Sequence, residues 1–270
     1  MNSTFQMLAR LILTVLLVIA SLSAMAQSEP IGIVIMHGKG GAPTRFVSDL
    51  ARALESKDYL VANLEMPWSG RLMFSLPVSK AEVDVDAAVT GLRAKGAKKI
   101  FIAGHSLGGV FTIHLAGKQT VDGVIAIAPG GDTANPFYRG NIAASISRAQ
   151  QLIAEGKGKE PVQLDDYEGG KGRYQINTVP ETFVTWYELD GAMNLTRAAR
   201  AVYPGTPVLW IAPTRDYPAL VKSGPGYFGM LPPNSYTRFY RLESDHLQAP
   251  AASVDEIVRW TREVAAAQPH

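Results

Sequence analysis

The chain reads as an α/β protein, with a mostly parallel sheet of about six strands flanked by helices and interrupted once by an insertion. Three observations predict this. Short apolar, β-rich runs alternate with segments whose apolar residues recur at helical spacing. Several of those segments open with recognisable helix-start residues. One stretch of about 70 residues breaks the rhythm between two strands and then lets it resume. Composition agrees: 270 residues, 47% hydrophobic and 19% charged, describe a globular chain of one large domain or two modest ones, not a disordered or fibrous one. Lys+Arg 26 against Asp+Glu 24 leave a net charge of +2, and no region is basic enough to hold nucleic acid by phosphate neutralisation. Cysteine is absent, which excludes disulfides, a thiolate nucleophile, a cysteine-ligated metal and lipidation at a cysteine.

From the N-terminus, Leu11–Ala20 is apolar apart from Thr14 and follows Arg10, and Ser21–Ala26 supplies small residues where a signal peptidase reads. Residues 1–26 are therefore expected to be a cleaved secretory signal, because an apolar core of roughly 10 residues falls short of the ~20 that span a bilayer. The mature protein is expected to be periplasmic or secreted, with no stable membrane span after cleavage.

Strands are expected at Ile31–Met36, Leu60–Leu64, Ile100–Ala103, Val124–Ala128, Val208–Ala212 and Thr237–Leu242. Pro43 suits a first helical turn, with Phe46, Leu50 and Leu54 on one stripe behind it. Ser79 with Glu82 has the spacing of a capping box ahead of Val85, Val89 and Leu92. Ser253 with Glu256 repeats it before the final stripe of Ile257, Val258, Thr261, Val264 and Ala265. The core is thus expected over 27–132 and 204–270, with residues 133–203 inserted. The insertion should carry a helix near Asn141–Glu155, a Gly/Lys/Asp-rich section from Gly156 to Gly172, and an aromatic section with Tyr174, Phe183, Trp186 and Tyr187. Those aromatics either line an acyl or aryl pocket or form the insertion's own small core.

The chemistry centres on Gly104-His105-Ser106-Leu107-Gly108-Gly109. A G-x-S-x-G pattern is weak alone, but here a β-run ends at Ala103 and a helical stripe of Leu107, Val110, Phe111, His114 and Leu115 begins just after. A serine on such a turn is a nucleophile held in a strained backbone, with Gly104 and Gly108 letting strand and helix approach. Met36-His37-Gly38-Lys39-Gly40-Gly41 follows the first strand, and its backbone would face an oxyanion with Lys39 N–H beside that of Leu107; Gly40 is the alternative donor. Of the five histidines, His105 neighbours Ser106 and should point away. His114 lies too far along its helix, His37 braces the glycine loop, and His270 is terminal. His246, between the last strand and the last helix, remains as the base. Asp216, on the turn after Val208–Ala212, fits the orienting acid, with Asp190 as its rival; Asp245 is adjacent to His246 and should diverge from the ring.

With these residues in place, the chain resembles the α/β-hydrolase fold family, in its compact lipase and carboxylesterase branch, over residues 31 to about 132 and 205 to 267. The order Ser106, Asp216, His246 is similar to the family's order of nucleophile, acid and base. His37–Gly41 looks like its oxyanion loop, and the insertion sits where members carry a lid or cap. Two departures stand out. The chain enters at the strand leading to the glycine loop, so the antiparallel strands that open many members are expected to be absent, and the prolines and glycines of Tyr217–Ser235 predict a short or broken helix after the acid's strand. Gly224–Gly229 formally reads G-x-G-x-x-G but lacks the strand and helix of a dinucleotide site. Asp165, Asp166 and Glu168 are expected to be a solvated acidic face, not a calcium site.

The expected activity is hydrolysis of a small-molecule or lipid-like carboxylic ester through a Ser-His-Asp triad and an acyl-enzyme, with no cofactor and no metal. Amide, peptide or thioester cleavage on the same residues, or a non-catalytic envelope binding role on a hydrolase scaffold, are the rival readings.

Overall fold

The structure, a computed structural model, describes residues 29–267, so the expected signal segment 1–26 and His270 lie outside the described residues. Eight strands occupy β1 (Ile31–Met36), β2 (Leu60–Leu64), β3 (Lys99–His105), β4 (Gly123–Ile127), β5 (Val162–Glu168), β6 (Gly172–Thr178), β7 (Val208–Arg215) and β8 (Arg238–Asp245). Six of them form one sheet in the order β2-β1-β3-β4-β7-β8, with every neighbouring pair parallel. The first two strands match the sequence reading residue for residue. The later ones run one to three residues further toward the C-terminal edge or shift by one, because ladder pairing continues past the apolar run. No antiparallel strand precedes β1 among the described residues.

Helices cover both faces. On one, α1 (Ser48–Glu55) and α9 (Val254–Ala267) press Leu50, Leu54, Ile257, Trp260 and Val264 against Ile33, Ile35, Phe101 and Ile125. On the other, α2 (Val78–Ala94) and α3 (Leu107–Ala116) bury Val85, Val89, Val110 and Phe111 against Val34, Ile102 and Val124. Strands β1, β3 and β4 are buried along their whole length, as a sheet covered on both sides requires.

Two helix starts and one expected capping box differ from expectation. Pro43 and Phe46 precede α1: Phe46 sits in the left-handed region at φ 64°, with the Arg45 guanidinium over its ring. Helix α2 begins at Val78, whose amide donates to Thr185 Oγ1, so Ser79 is already inside it. Glu82 turns instead to His114 and Lys118. Before α9, the Ser253 hydroxyl donates to the Pro250 carbonyl, and Glu256 pairs with Arg259 and Arg238, so the start is correct but no box forms.

Between β4 and β7 the chain builds α4 (Pro136–Ala154), the antiparallel hairpin β5–β6, α5 (Pro180–Tyr187) and α6 (Leu195–Ala201). The Gly/Lys/Asp-rich section read over 156–172 and the start of the aromatic section fold as this hairpin: Leu164, Asp166, Ile176 and Thr178 alternate inward, and Gly169-Gly170-Lys171 makes the turn. After β7, α7 (Pro218–Phe228) is a continuous helix of 11 residues that holds Pro225, and it takes in the glycine motif from Gly224 to Phe228, with Gly229 as its C-cap. The short or broken segment expected there is thus corrected: Pro218 occupies the first turn, where its missing N–H costs nothing. A four-residue turn, α8 (Ala249–Ala252), joins β8 to α9.

Candidate active site

All six strands end at the same edge of the sheet. The chain leaves β1 toward β2 on one side and β3 on the other, which opens a crevice at the carboxyl ends of β1 and β3. Ser106 sits there, between β3 and α3. Its backbone takes φ 55° and ψ −116°, a costly conformation for a residue with a Cβ. It is held by its amide donating to the Ile127 carbonyl and its own carbonyl accepting from Val110. The flanking glycines are sterically obligatory: a Cβ on Gly104 would lie 2.1 Å from the Gly108 carbonyl oxygen, and one on Gly108 would lie 2.7 Å from the carbonyls of Met36 and His37.

The register of the last two strands supplies the partners. A bulge between Pro213 and Arg215 lets Arg215 pair with Asp245, so the next residues, Asp216 and His246, emerge side by side. His246 Nε2 lies 3.0 Å from Ser106 Oγ, and His246 Nδ1 lies 2.8 Å from Asp216 Oδ1. Asp216 Oδ1 also accepts from the Tyr217 amide, and the Tyr217 ring leans on His246 at 4.8 Å between centroids. The Asp216 side chain is 3% exposed and the His246 side chain 11%. Asp245 turns away to accept from the amides of Leu247 and Gln248. Asp190 is exposed in the insertion, where its carbonyl accepts from Arg197, and His246 Nδ1 pairs with Asp216 instead.

His105 departs from the sequence reading. Its ring does not point away from the site but underlies His246, donating Nε2–H to the His246 carbonyl at 2.8 Å. Burial, with the neighbouring His246 adding to it, lowers its pKa to about 3 and keeps it neutral. Its position directly before Ser106, at the end of β3, is the signal that could have found it. His114 packs on Phe111 and bonds Glu82, away from the site.

The glycine loop after β1 lies against Ser106: a Cβ on Gly38 would sit 3.0 Å from Ser106 Cβ. His37 braces the loop as expected. Its Nε2 accepts from the Met66 amide, its Nδ1–H donates to the Gly38 carbonyl, and its own carbonyl accepts from Trp68 Nε1. Burial pulls the His37 pKa down, which suits the neutral tautomer those bonds need. The Gly38 carbonyl also accepts from the Gly41 amide, so the trans peptide turns the Lys39 N–H the other way. The amides of Lys39 and Leu107 have no acceptor among the described residues, whereas Gly40, the alternative donor, is spent on the Trp68 carbonyl at 2.8 Å.

The Lys39 side chain runs into the insertion and meets Asp166, which corrects the expected solvated acidic face. The Asp166 side chain is 0% exposed and sits 2.8 Å from Lys39 Nζ. It also accepts from Tyr138 and Tyr174, whose pKa values burial and the Asp166 charge push up, so both remain donors. The aromatics of the insertion divide: Phe183, Trp186 and Tyr187 are buried and pack, directly or through one another, on Trp68, Phe74 and Phe111 of the main body, while Tyr174 serves Asp166. No metal-binding group of His, Asp and Glu occurs among the described residues, and no helix there is long and apolar enough to cross a membrane.

Solved structures share this architecture. A chain described with LipS and LipT, two metagenome-derived lipolytic enzymes, aligns at TM-score 0.57 and 20% identity, covering 89% of this chain and 95% of its own. The monoacylglycerol lipase of Paleococcus ferrophilus aligns at 0.58 and 18%, covering 88% and 95%. The esterase domain of a Rhodothermus marinus protein aligns at 0.55 and 20%, covering 88% and 89%. None of the curated proteins matches by sequence. The model of the alpha/beta hydrolase family matches residues 33–269, and the chain belongs to that family.

Proposed function

We propose that the protein is a serine hydrolase that cleaves carboxylic esters through an acyl-enzyme. The observation that carries this reading is the continuous relay from Ser106 Oγ to His246 to Asp216, at 3.0 Å and 2.8 Å, on a backbone strained at the serine. His246 Nε2 takes the hydroxyl proton as Ser106 Oγ bonds to the carbonyl carbon, and Asp216 stabilises the resulting imidazolium. The negative charge on the carbonyl oxygen is met by the free amides of Lys39 and Leu107. Collapse breaks the bond to the alcohol, which leaves with the proton from His246. Water then attacks the acyl-serine, giving its proton to His246, and Ser106 recovers its own as the acid departs. The lipolytic and esterase names of the structural neighbours favour small ester substrates. The apolar run at Leu11–Ala20 and the small residues to Ala26 support action after export, in the periplasm or outside the cell.

The test is hydrolysis of p-nitrophenyl esters from acetate to palmitate by residues 27–270, beside Ser106→Ala and with fluorophosphonate labelling of both. Turnover should fall by about four to six orders of magnitude in the variant, and labelling should vanish. A folded wild type that neither turns over an ester nor labels overturns the proposal and leaves a binding scaffold.

A further inference from the structure

We infer that Asp166, through its ion pair with the Lys39 ammonium, is a positioning residue for the oxyanion-binding peptide, so that the inserted hairpin sets the catalytic competence of a loop 127 residues away in sequence. The inference rests on the esterase reading above and deepens it. Lys39 then carries two functions in one residue: its N–H faces the oxyanion, and its side chain, together with the bonded Gly38 carbonyl of the same peptide, fixes where that N–H stands.

The Gly38 carbonyl, on the same peptide as the Lys39 N–H, accepts from His37 Nδ1–H and the Gly41 amide, and the loop's other tethers lie on either side of Lys39. His37 is held by Met66 and Trp68, Gly40 by the Trp68 carbonyl, and the Gly41 carbonyl by the Gly70 amide. Lys39 itself is held through its ammonium, which donates to both oxygens of Asp166 at 2.9 and 2.8 Å, to the Tyr167 carbonyl at 3.2 Å and to the Tyr138 hydroxyl at 3.3 Å. Those partners saturate its three N–H groups and leave none for a substrate, so the side chain is an anchor and not a ligand-binding group. Asp166 is fixed in turn by Tyr138, Tyr174 and the Tyr167 amide. The rings of Phe74, Tyr138 and Tyr187 lie within 6.0 Å of the ammonium. A buried ion pair is seldom more stabilising than apolar side chains of the same volume, so what the charges add here is direction. The hairpin turn closes the arrangement from above: the Lys171 ammonium is 3.8 Å from the Cβ position of Gly40, and the Tyr217 hydroxyl, beside the candidate triad, is 3.8 Å from that of Gly170.

The experiment compares wild type with Asp166→Asn, the double variant Lys39→Met/Asp166→Leu, and Ser106→Ala. It measures kcat and KM on p-nitrophenyl butyrate, inhibition by an alkyl trifluoromethyl ketone, and the thermal midpoint. The double variant removes both charges and avoids a lone buried one. It should stay folded, lose about 10- to 100-fold in kcat with KM within about threefold, and bind the ketone, whose adduct carries the oxyanion, more weakly by a similar factor. Asp166→Asn, which still offers the ammonium an acceptor, should fall between. A folded double variant with wild-type kcat and ketone affinity overturns the inference and leaves the pair as scaffold. If the double variant does not fold, Asp166→Asn decides by the same readouts: unchanged kcat and ketone affinity overturn the inference. Ser106→Ala separates the two layers. Turnover that depends on Ser106 but ignores Asp166 defeats only the anchor, whereas wild type without Ser106-dependent turnover defeats the esterase reading and the anchor with it.

Discussion

The imidazoles of His105 and His246 lie 4.9 Å apart between centroids, and of the two it is His246 that meets the Ser106 hydroxyl. His105 works from beneath, fixing the backbone of His246 while its own Nδ1 is buried without a partner. This arrangement has a pH signature. Burial lowers the folded-state pKa of His105 from 6.5 to about 3 and moves His37 in the same direction. Between those values the unfolded chain binds protons that the folded chain refuses, so the stability from these neutral rings is complete above the unfolded value and is lost as pH falls toward 3. The thermal midpoint should therefore hold steady above about pH 6.5 and decline steadily through the acid range. In His105→Gln, whose amide can keep the donor to the His246 carbonyl, the decline should be shallower. Midpoint-versus-pH curves with identical slopes for the two proteins would remove His105 from the account.

At the scale of elements, the turn between β3 and α3 is set by what glycine omits. Gly104→Ala would drive a methyl into the Gly108 carbonyl at 2.1 Å, with backbone on both sides of the clash, so the strand and helix must separate. Loss of both activity and soluble protein is expected, read by expression and by ester turnover. Gly91→Ala is the contrast, because that glycine lies inside α2 with nothing within 4 Å of an added Cβ. It should raise stability by about 0.5–1 kcal/mol in denaturant titration and leave turnover unchanged. The same distinction explains what was legible in the sequence. Ser106, Asp216 and His246 could be named from strand–turn–helix spacing because local pattern fixes which residues stand at a strand end, and parallel pairing then carries those ends to one edge. The hairpin was equally local: its alternation and Gly-Gly turn were present in residues 162–178, hidden by a composition that reads as loop. The partners of Glu82 and Asp166 were not legible, since each is chosen by tertiary contact: His114 lies 32 residues from Glu82, and Lys39 lies 127 from Asp166. A capping box and an acidic cluster were the local readings of side chains whose partners are distant.

For the molecule as a whole, the question is whether the insertion is a separate unit set on the sheet or part of one core. The buried aromatics argue for one core. Trp186 meets Trp68 at 5.6 Å, Phe74 at 5.7 Å and Phe111 at 5.7 Å between centroids, and donates its indole N–H to the Leu76 carbonyl. Asp132, just before the insertion, accepts from the Leu195 amide and Thr196 on α6 and from Tyr227 on α7, so one carboxylate joins both ends of the insertion to the helix that follows β7. The apolar cluster that contains Val110 and Ile102 runs without a break into Ile142, Phe183 and Trp186. A lid that opened by detaching whole would have to expose that surface, so motion at the site should be confined to the hairpin turn and not involve α4 or α5. The expected behaviour is one cooperative melting transition, coincident by far-UV circular dichroism and tryptophan fluorescence. Trp186→Ala, which removes a fully buried indole, should cost about 3–5 kcal/mol and lower that single transition intact. An early fluorescence transition ahead of the loss of helix, in wild type or variant, would instead show the insertion melting as its own unit.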